Sequence, residues 1–323
     1  MNKTTFLSKL FLDAIRDSYK IYKYFNLRKY NHIFILLKIF FIRFFFSFAS
    51  LRNSIKPKKS KNEFYLDNEY FTNEKISADK IINDIDKKGF SETFMINENI
   101  KKKILFESLT NGEFETKKLD PKINIENLKM NSNENLDDYI NRLKNYKISR
   151  ITKTINLDEK ENTLKKLILS DEILKIAENY LNSKKISINA SFFISNPLKI
   201  SENEKYRNAQ YFHWDNDFTK FFKMYIYLND VNDENGPHIY IPNTHKIKKN
   251  DNKLCRLYSD TNIKNNYQHS KTFIGKAGST FFVDSYGIHK GLTPTNNYRL
   301  MLNIHFGRGK ILYSKYDKFI DLS

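Results

Sequence analysis

Residues 211–242, YFHWDNDFTKFFKMYIYLNDVNDENGPHIYIP, decide how this chain folds. Aromatic and β-branched residues come here in short runs, each closed by Asn, Asp, Gly or Pro, which is the pattern of strands separated by turns. Inside the run 221–228, Met224, Ile226 and Leu228 alternate with Lys223, Tyr225 and Tyr227. Successive side chains of a strand point to opposite faces, so one face is apolar and the other polar or aromatic. The same texture begins at Ile186 and predicts strands near 186–194, 208–215, 221–228, 237–242, 271–275, 278–284, 286–290 and 298–307. Short strands in such numbers after helical segments predict a mainly β, α+β architecture: two facing sheets, sandwich or jelly roll, with helices on one outer side. No longer unit repeats along the chain, so a solenoid is not expected.

Upstream the periodicity is helical. The stretch 77–89, SADKIINDIDKKG, opens with the capping residue Ser77, places Ile81, Ile82 and Ile85 on one face and stops at Gly89. Residues 163–185 predict further helix, broken at Ser170-Asp171. The polar stretch SIKPKKSKNE (54–63) carries Pro57 among lysines and reads as a linker. The expected organisation is an N-terminal basic and apolar helical extension with its linker over 1–62, and the main domain over 63–323.

The formal net charge is +18, from 55 Lys and Arg against 37 Asp and Glu. Lysine is interleaved with Asn and Ile throughout rather than gathered into a stripe, so a solvated basic surface is expected and no nucleic-acid partner. Cys255 is the only cysteine, which leaves no internal disulfide and suits a reducing cytoplasm. The run 33–51, IFILLKIFFIRFFFSFASL, is about long enough to span a bilayer. Lys38 and Arg43 interrupt it, each costing about 2.5–3.5 kcal/mol near a bilayer centre, which argues against a span. Two dispositions stay open. One is a peripheral membrane contact through residues 21–52, with Lys23, Arg28, Lys29, Lys38, Arg43 and Arg52 meeting anionic lipid at the inner face of the membrane. The other is a helix packed on its own domain or in a dimer.

The chemistry sits in the β half. On a strand covering 211–215, His213 and Asp215 project from one face and can grip one ion. His289 follows the strand predicted at 278–284 and lies beside the turn-forming Gly287. Two imidazoles and one carboxylate leave three positions open, as ferrous iron needs in order to take a bidentate keto acid and dioxygen. Arg299 comes after the turn Pro294-Thr295-Asn296-Asn297, on what would be the neighbouring antiparallel strand. Its guanidinium is a natural fork for a carboxylate. Along that last strand Leu300, Leu302, Ile304 and Phe306 alternate with Arg299, Met301, Asn303 and His305, so the second set is expected to face a polar cavity. Tyr225, Lys223 and Thr293 are further candidates to reach a cosubstrate or substrate. Trp214, pointing opposite to the ligands, is expected in the core. His238 and His245, near the ends of the strand at 237–242, read as turn or rim residues.

The segments QYFHWDND, KMYIYLNDVNDENGPHIYIPNTHK and GSTFFVDSYGIHKG, with the arginine at 299, resemble the phytanoyl-CoA dioxygenase family. The resemblance runs from residue 75 to the C-terminus and is strongest over 207–307. It implies a double-stranded β-helix (jelly roll) flanked by helices, with Fe(2+) on His213, Asp215 and His289, and 2-oxoglutarate held through Arg299. It also implies a dioxygenase that hydroxylates an unidentified small-molecule or lipid-linked substrate with dioxygen. Asn243 and Thr244 stand where that family has Gly and Ser, in a segment read as scaffold. Related halogenases vacate the carboxylate position; Asp215 is present, so hydroxylation is the expectation. The competing reading is a jelly-roll metal-binding protein without keto-acid-dependent activity, either isomerase-like or a non-catalytic binding module, and neither would need Arg299.

Overall fold

The computed structural model describes residues 41, 49–58, 63–66, 69–72, 76–110, 113–114, 125–131, 133–157, 162–217, 219–249, 256–310 and 317–323. Its strands are β1 (Phe94–Met95), β2 (Glu113–Phe114), β3 (Arg150–Ile155), β4 (Lys185–Ser195), β5 (Phe212–His213), β6 (Phe221–Tyr227) and β7 (His238–Tyr240), then β8 (Leu257–Tyr258), β9 (Lys271–Phe273), β10 (Ser279–Val283), β11 (His289–Gly291), β12 (Arg299–Arg308) and β13 (Lys318–Asp321). The helices are α1 (Ala49–Asn53), α2 (Ala78–Lys88), α3 (Glu98–Thr110), α4 (Leu136–Asn145), α5 (Thr163–Ile168), α6 (Asp171–Leu181), α7 (Glu202–Arg207) and α8 (Asp260–Asn266).

Among the described residues all strand pairing is antiparallel, in two sheets. The larger runs β1-β10-β6-β12-β4-β3-β2 with β13 also on β4, and the smaller runs β8-β5-β11-β7-β9. Strand alternation divides the interior as the sequence predicts. From the larger sheet, Leu300, Leu302, Ile304, Met224, Ile226 and Phe282 join the helix residues Ile82, Leu143, Leu167 and Ile176 in the main apolar core. From its other face, Met301, Tyr225, Tyr227 and Phe281 meet Tyr240 and Phe273 of the smaller sheet. This is the jelly-roll arrangement, with helices outside one sheet and a partly polar space between the two.

Local chemistry sets the boundaries. Ser77 accepts the Lys80 N–H at the start of α2, and Gly89 ends the helix at φ 93°. The break at Ser170 separates α5 from α6 as expected. The strand predicted over 208–215 is a correction. Helix α7 occupies 202–207, and ladder pairing is confined to Phe212 and His213. Beyond it, the Trp214 N–H donates to Arg256 O at 3.2 Å and the Asp215 N–H to Ser285 O at 2.9 Å, outside any strand. Strand β3 and helices α3, α4 and α8 were not foreseen.

The start of the stretch read as a linker is tied to the domain: Lys220 Nζ donates to Ile55 O at 2.6 Å and the Lys58 N–H to Asn179 O at 2.9 Å. Arg52, which one of the two open readings placed at a lipid surface and the other in a helix packed on the protein, is only 2% exposed and paired with Asp284. Residues 21–40 and 42–48, the bulk of the expected membrane-contact segment, lie outside the described residues. No helix among the described residues is long and apolar enough to cross a membrane.

Candidate metal centre

Strands β5 and β11 are neighbours in the smaller sheet, and His213 and His289 are register partners across them. Their rings lie 4.3 Å apart between centroids. Asp215 reaches both, with Oδ1 3.7 Å from His213 Nε2 and Oδ2 3.6 Å from His289 Nε2. One ligand atom from each of the three residues falls within 4.8 Å of the others, close enough to share an ion. The far side of each ring is anchored: His213 Nδ1 lies 2.8 Å from Tyr211 O and His289 Nδ1 2.9 Å from Gly287 O. A carbonyl can only accept, so each Nδ1 carries the proton and each Nε2 presents a lone pair to the centre. Burial drives both imidazoles towards the neutral, metal-binding form, His213 down to about 4 and His289 to about 3.

Supporting contacts fix this geometry from behind. A Cβ on Gly287 would lie 1.8 Å from the Tyr240 hydroxyl, so the glycine is required by that close approach as well as by the turn. Thr244 Oγ1 accepts the Ile288 N–H at 2.7 Å and donates to Ile241 O at 2.6 Å, bracing the residue before His289. Asn243 adopts φ 66° where the family has Gly, a conformation Asn tolerates. Lys223, a candidate for cosubstrate contact, is committed elsewhere, its Nζ 2.6 Å from Asp215 Oδ2. Burial alone would raise the Asp215 pKa; Lys223 and the two histidines outweigh it and hold the carboxyl well below its usual range.

Arg299 opens β12 on the inner face and is 3% exposed. Its Nε and Nη1 have no hydrogen-bond partner among the described residues. A Cβ on Gly291, two residues after His289, would stand 2.9 Å from Arg299 Nη2, so that glycine makes the bed in which the guanidinium lies. Burial lowers the Arg299 pKa, opposed by Tyr227 and Tyr225. A buried guanidinium with no anion beside it among the described residues is costly by itself and fits an anion supplied from outside. Tyr225 lies on the same inner face, its ring 4.9 Å from that of His238. Thr293 donates its hydroxyl to Gln210 Oε1 at 2.8 Å, which removes that proton from any cosubstrate contact.

Of the two histidines expected in turns or at a rim, His245 does lie in a turn, though a buried one, whereas His238 is a correction, since it starts β7 and is buried. His238 pairs in register with Gly291, its ring is 5.4 Å from that of His289, and its Nε2 has no partner. It therefore lies beside the centre, and only the β7–β11 register, which no local pattern encodes, places it there. His245 instead sits 3.0 Å from Asp86 O, by helix α2. Inner-face hydroxyls of Thr152 and Ser195 also lack partners, and Ser195 is the register partner of both Arg299 and Arg150. Sequence reading missed Thr152 along with the strand that carries it.

Residues 134–299 match the family model described as phytanoyl-CoA dioxygenase (PhyH). The chain belongs to that family. Solved structures of similar fold include the non-heme alpha ketoglutarate dependent epimerase SnoN from nogalamycin biosynthesis, at 12% identity and TM-score 0.44 over 72% of this chain and 80% of that one. HygX from Streptomyces hygroscopicus, solved with nickel and 2-oxoglutarate, is 12% identical with TM-score 0.46 over 71% and 86% of the two chains. The carbocyclase SnoK, also from nogalamycin biosynthesis, is 11% identical with TM-score 0.45 over 74% and 95%. No curated protein sequence matches the chain.

Proposed function

We propose that this chain is an Fe(2+)- and 2-oxoglutarate-dependent dioxygenase that hydroxylates a small-molecule substrate. The observation that carries the reading is the pairing of two features in one space: a His-Asp-His cluster with both Nε2 atoms turned inward, and a buried guanidinium lacking an anion beside the strand that bears His289. A metal-binding module or an isomerase would use the first without the second. His213, Asp215 and His289 would hold the iron, and Arg299 the distal carboxylate of the keto acid, as a two-point fork. Tyr225 lines the wall between these two anchors, while Thr293 acts through Gln210. Iron supplies dioxygen activation coupled to oxidative decarboxylation of 2-oxoglutarate to succinate. The chain supplies neutral imidazoles and a preorganised cation for the cosubstrate.

The test is anaerobic addition of Fe(2+) and 2-oxoglutarate to the full chain. A weak visible charge-transfer band that requires both additions is expected. Its absence, with iron nevertheless bound, would favour a metal protein that uses no keto acid. Succinate release against a substrate panel follows, and the mass of the product separates oxygen insertion from oxidation without it.

A further inference from the structure

Arg52 belongs to the N-terminal extension, yet it is buried against the turn between β10 and β11. Its Nη2 donates to Asp284 Oδ1 at 2.7 Å and to Phe221 O at 2.9 Å. The guanidinium lies over the Tyr286 ring at 4.7 Å and the Phe221 ring at 5.1 Å. Asp284 organises the turn. Oδ1 also accepts the Tyr286 N–H at 3.1 Å, and Oδ2 accepts the Tyr180 hydroxyl. Its backbone N–H donates to Gly89 O at 2.8 Å, and its carbonyl accepts from Tyr240 Oη and Gly287 N, both at 3.0 Å.

That turn carries the outer supports of two ligands. Ser285 O accepts the Asp215 N–H at 2.9 Å, and Gly287 O accepts His289 Nδ1–H at 2.9 Å. The other partner of Arg52, Phe221, starts β6 two residues before Lys223, whose ammonium grips Asp215 Oδ2. One guanidinium thus joins the turn that orients Asp215 and His289 to the strand that holds the Asp215 carboxylate. Nη2 gives its two hydrogens to the carboxylate and the carbonyl while the guanidinium plane lies against the two rings; a lysine ammonium could reach the same acceptors from one nitrogen but has no plane to lay on the rings.

We propose that Arg52 is a positioning residue for the metal centre, through which the N-terminal extension sets metal affinity; this rests on the metal reading given above. Contacts one step removed from a metal commonly change affinity by about 10–100-fold.

The test compares the full-length chain with Arg52→Met, Arg52→Lys and the double variant Arg52→Met/Asp284→Asn, which leaves no charged carboxylate unpaired. Co(2+) is titrated into each by calorimetry, its visible ligand-field bands are recorded, and folding is followed by far-ultraviolet circular dichroism. Expected are about 10–100-fold weaker Co(2+) binding and altered bands in Arg52→Met and the double variant, with the fold retained, and a smaller loss in Arg52→Lys. Wild-type affinity and bands in a folded Arg52→Met or double variant overturn the assignment. Loss of folding in all three does so as well, since Arg52 would then be a stability residue alone. A wild-type chain that takes up no Co(2+) overturns the metal reading beneath it too.

Discussion

Two arginines are buried almost equally, Arg52 at 2% and Arg299 at 3% exposure, and they have opposite surroundings. Arg52 meets a carboxylate at 2.7 Å and a carbonyl at 2.9 Å, leaving of its buried nitrogens only Nε without a partner; among the described residues Arg299 has two nitrogens without a partner and no carboxylate beside it. Burial works against the charge of both. Asp284 reverses it for Arg52, whose pKa is raised, while Arg299 has only tyrosine hydroxyls to oppose it and its pKa is lowered. The difference teaches how to separate structure from function among buried charges. A cation neutralised by its own chain acts through the parts of the fold that it joins, and one that is not has been placed for something the chain does not contain.

The largest effect that can break this comparison is in stability. Arg52→Met leaves Asp284 buried without its counter-ion and should destabilise the metal-free chain by about 3–5 kcal/mol. Arg299→Met removes a desolvated charge that has no counter-ion and should be neutral or stabilising by about 1 kcal/mol, as is common where function opposes stability. Urea denaturation of both variants measures the signs directly. Equal destabilisation would mean that the chain itself supplies an anion to Arg299. Next in size is ligand affinity: Arg299→Met should weaken 2-oxoglutarate binding by about 30–1000-fold, the cost of truncating a buried charge pair, while Co(2+) affinity stays at the wild-type value. Anaerobic titration of the charge-transfer band checks the first and calorimetry the second.

Acid sharpens the same contrast on the Arg52 side. Burial holds His245 down to about 4, from an ordinary value of 6.5, against the attraction of Asp284. The folded pKa is the depressed one, so below pH 6.5 the unfolded chain takes up this proton first. The contribution is fully present above pH 6.5 and is lost as pH falls towards 4. It amounts to about 3 kcal/mol at most. His245→Gln should flatten that part of the stability profile between pH 6.5 and 4, measured by denaturation at a series of pH values. An unchanged slope would show that His245 does not titrate with unfolding.

Most of the site was legible because its signals are local. The alternation along β12 and β6 sorts Arg299, Asn303, Lys223 and Tyr225 onto one face from the sequence alone, and the spacing of His213 and Asp215 survives even though Asp215 lies past the end of its strand. What stayed hidden depends on register or on distant partners. His238 comes beside the centre only because β7 pairs with β11, and Ser195 joins Arg299 only through the β4–β12 ladder. Arg52, at the end of an apolar run, fits a lipid-facing helix and a packed one equally. Its partner Asp284 lies 232 positions away, and no pattern in either neighbourhood announces the pair.

The smallest effect discriminates most finely. A methyl group at position 291 would approach Arg299 Nη2 to 2.9 Å, against the far end of a flexible side chain rather than against backbone. Gly291→Ala should therefore leave the fold and Co(2+) affinity unchanged and push the guanidinium aside by a few tenths of an ångström. Two-point pairing with a carboxylate depends on orientation, so a shift of that size should cost about 1 kcal/mol, near fivefold in 2-oxoglutarate affinity. If Gly291→Ala instead weakened the metal and spared the keto acid, the guanidinium would be supporting β11 and its histidine. Arg299 would then belong with Arg52, among the charges that act through the parts of the fold they join.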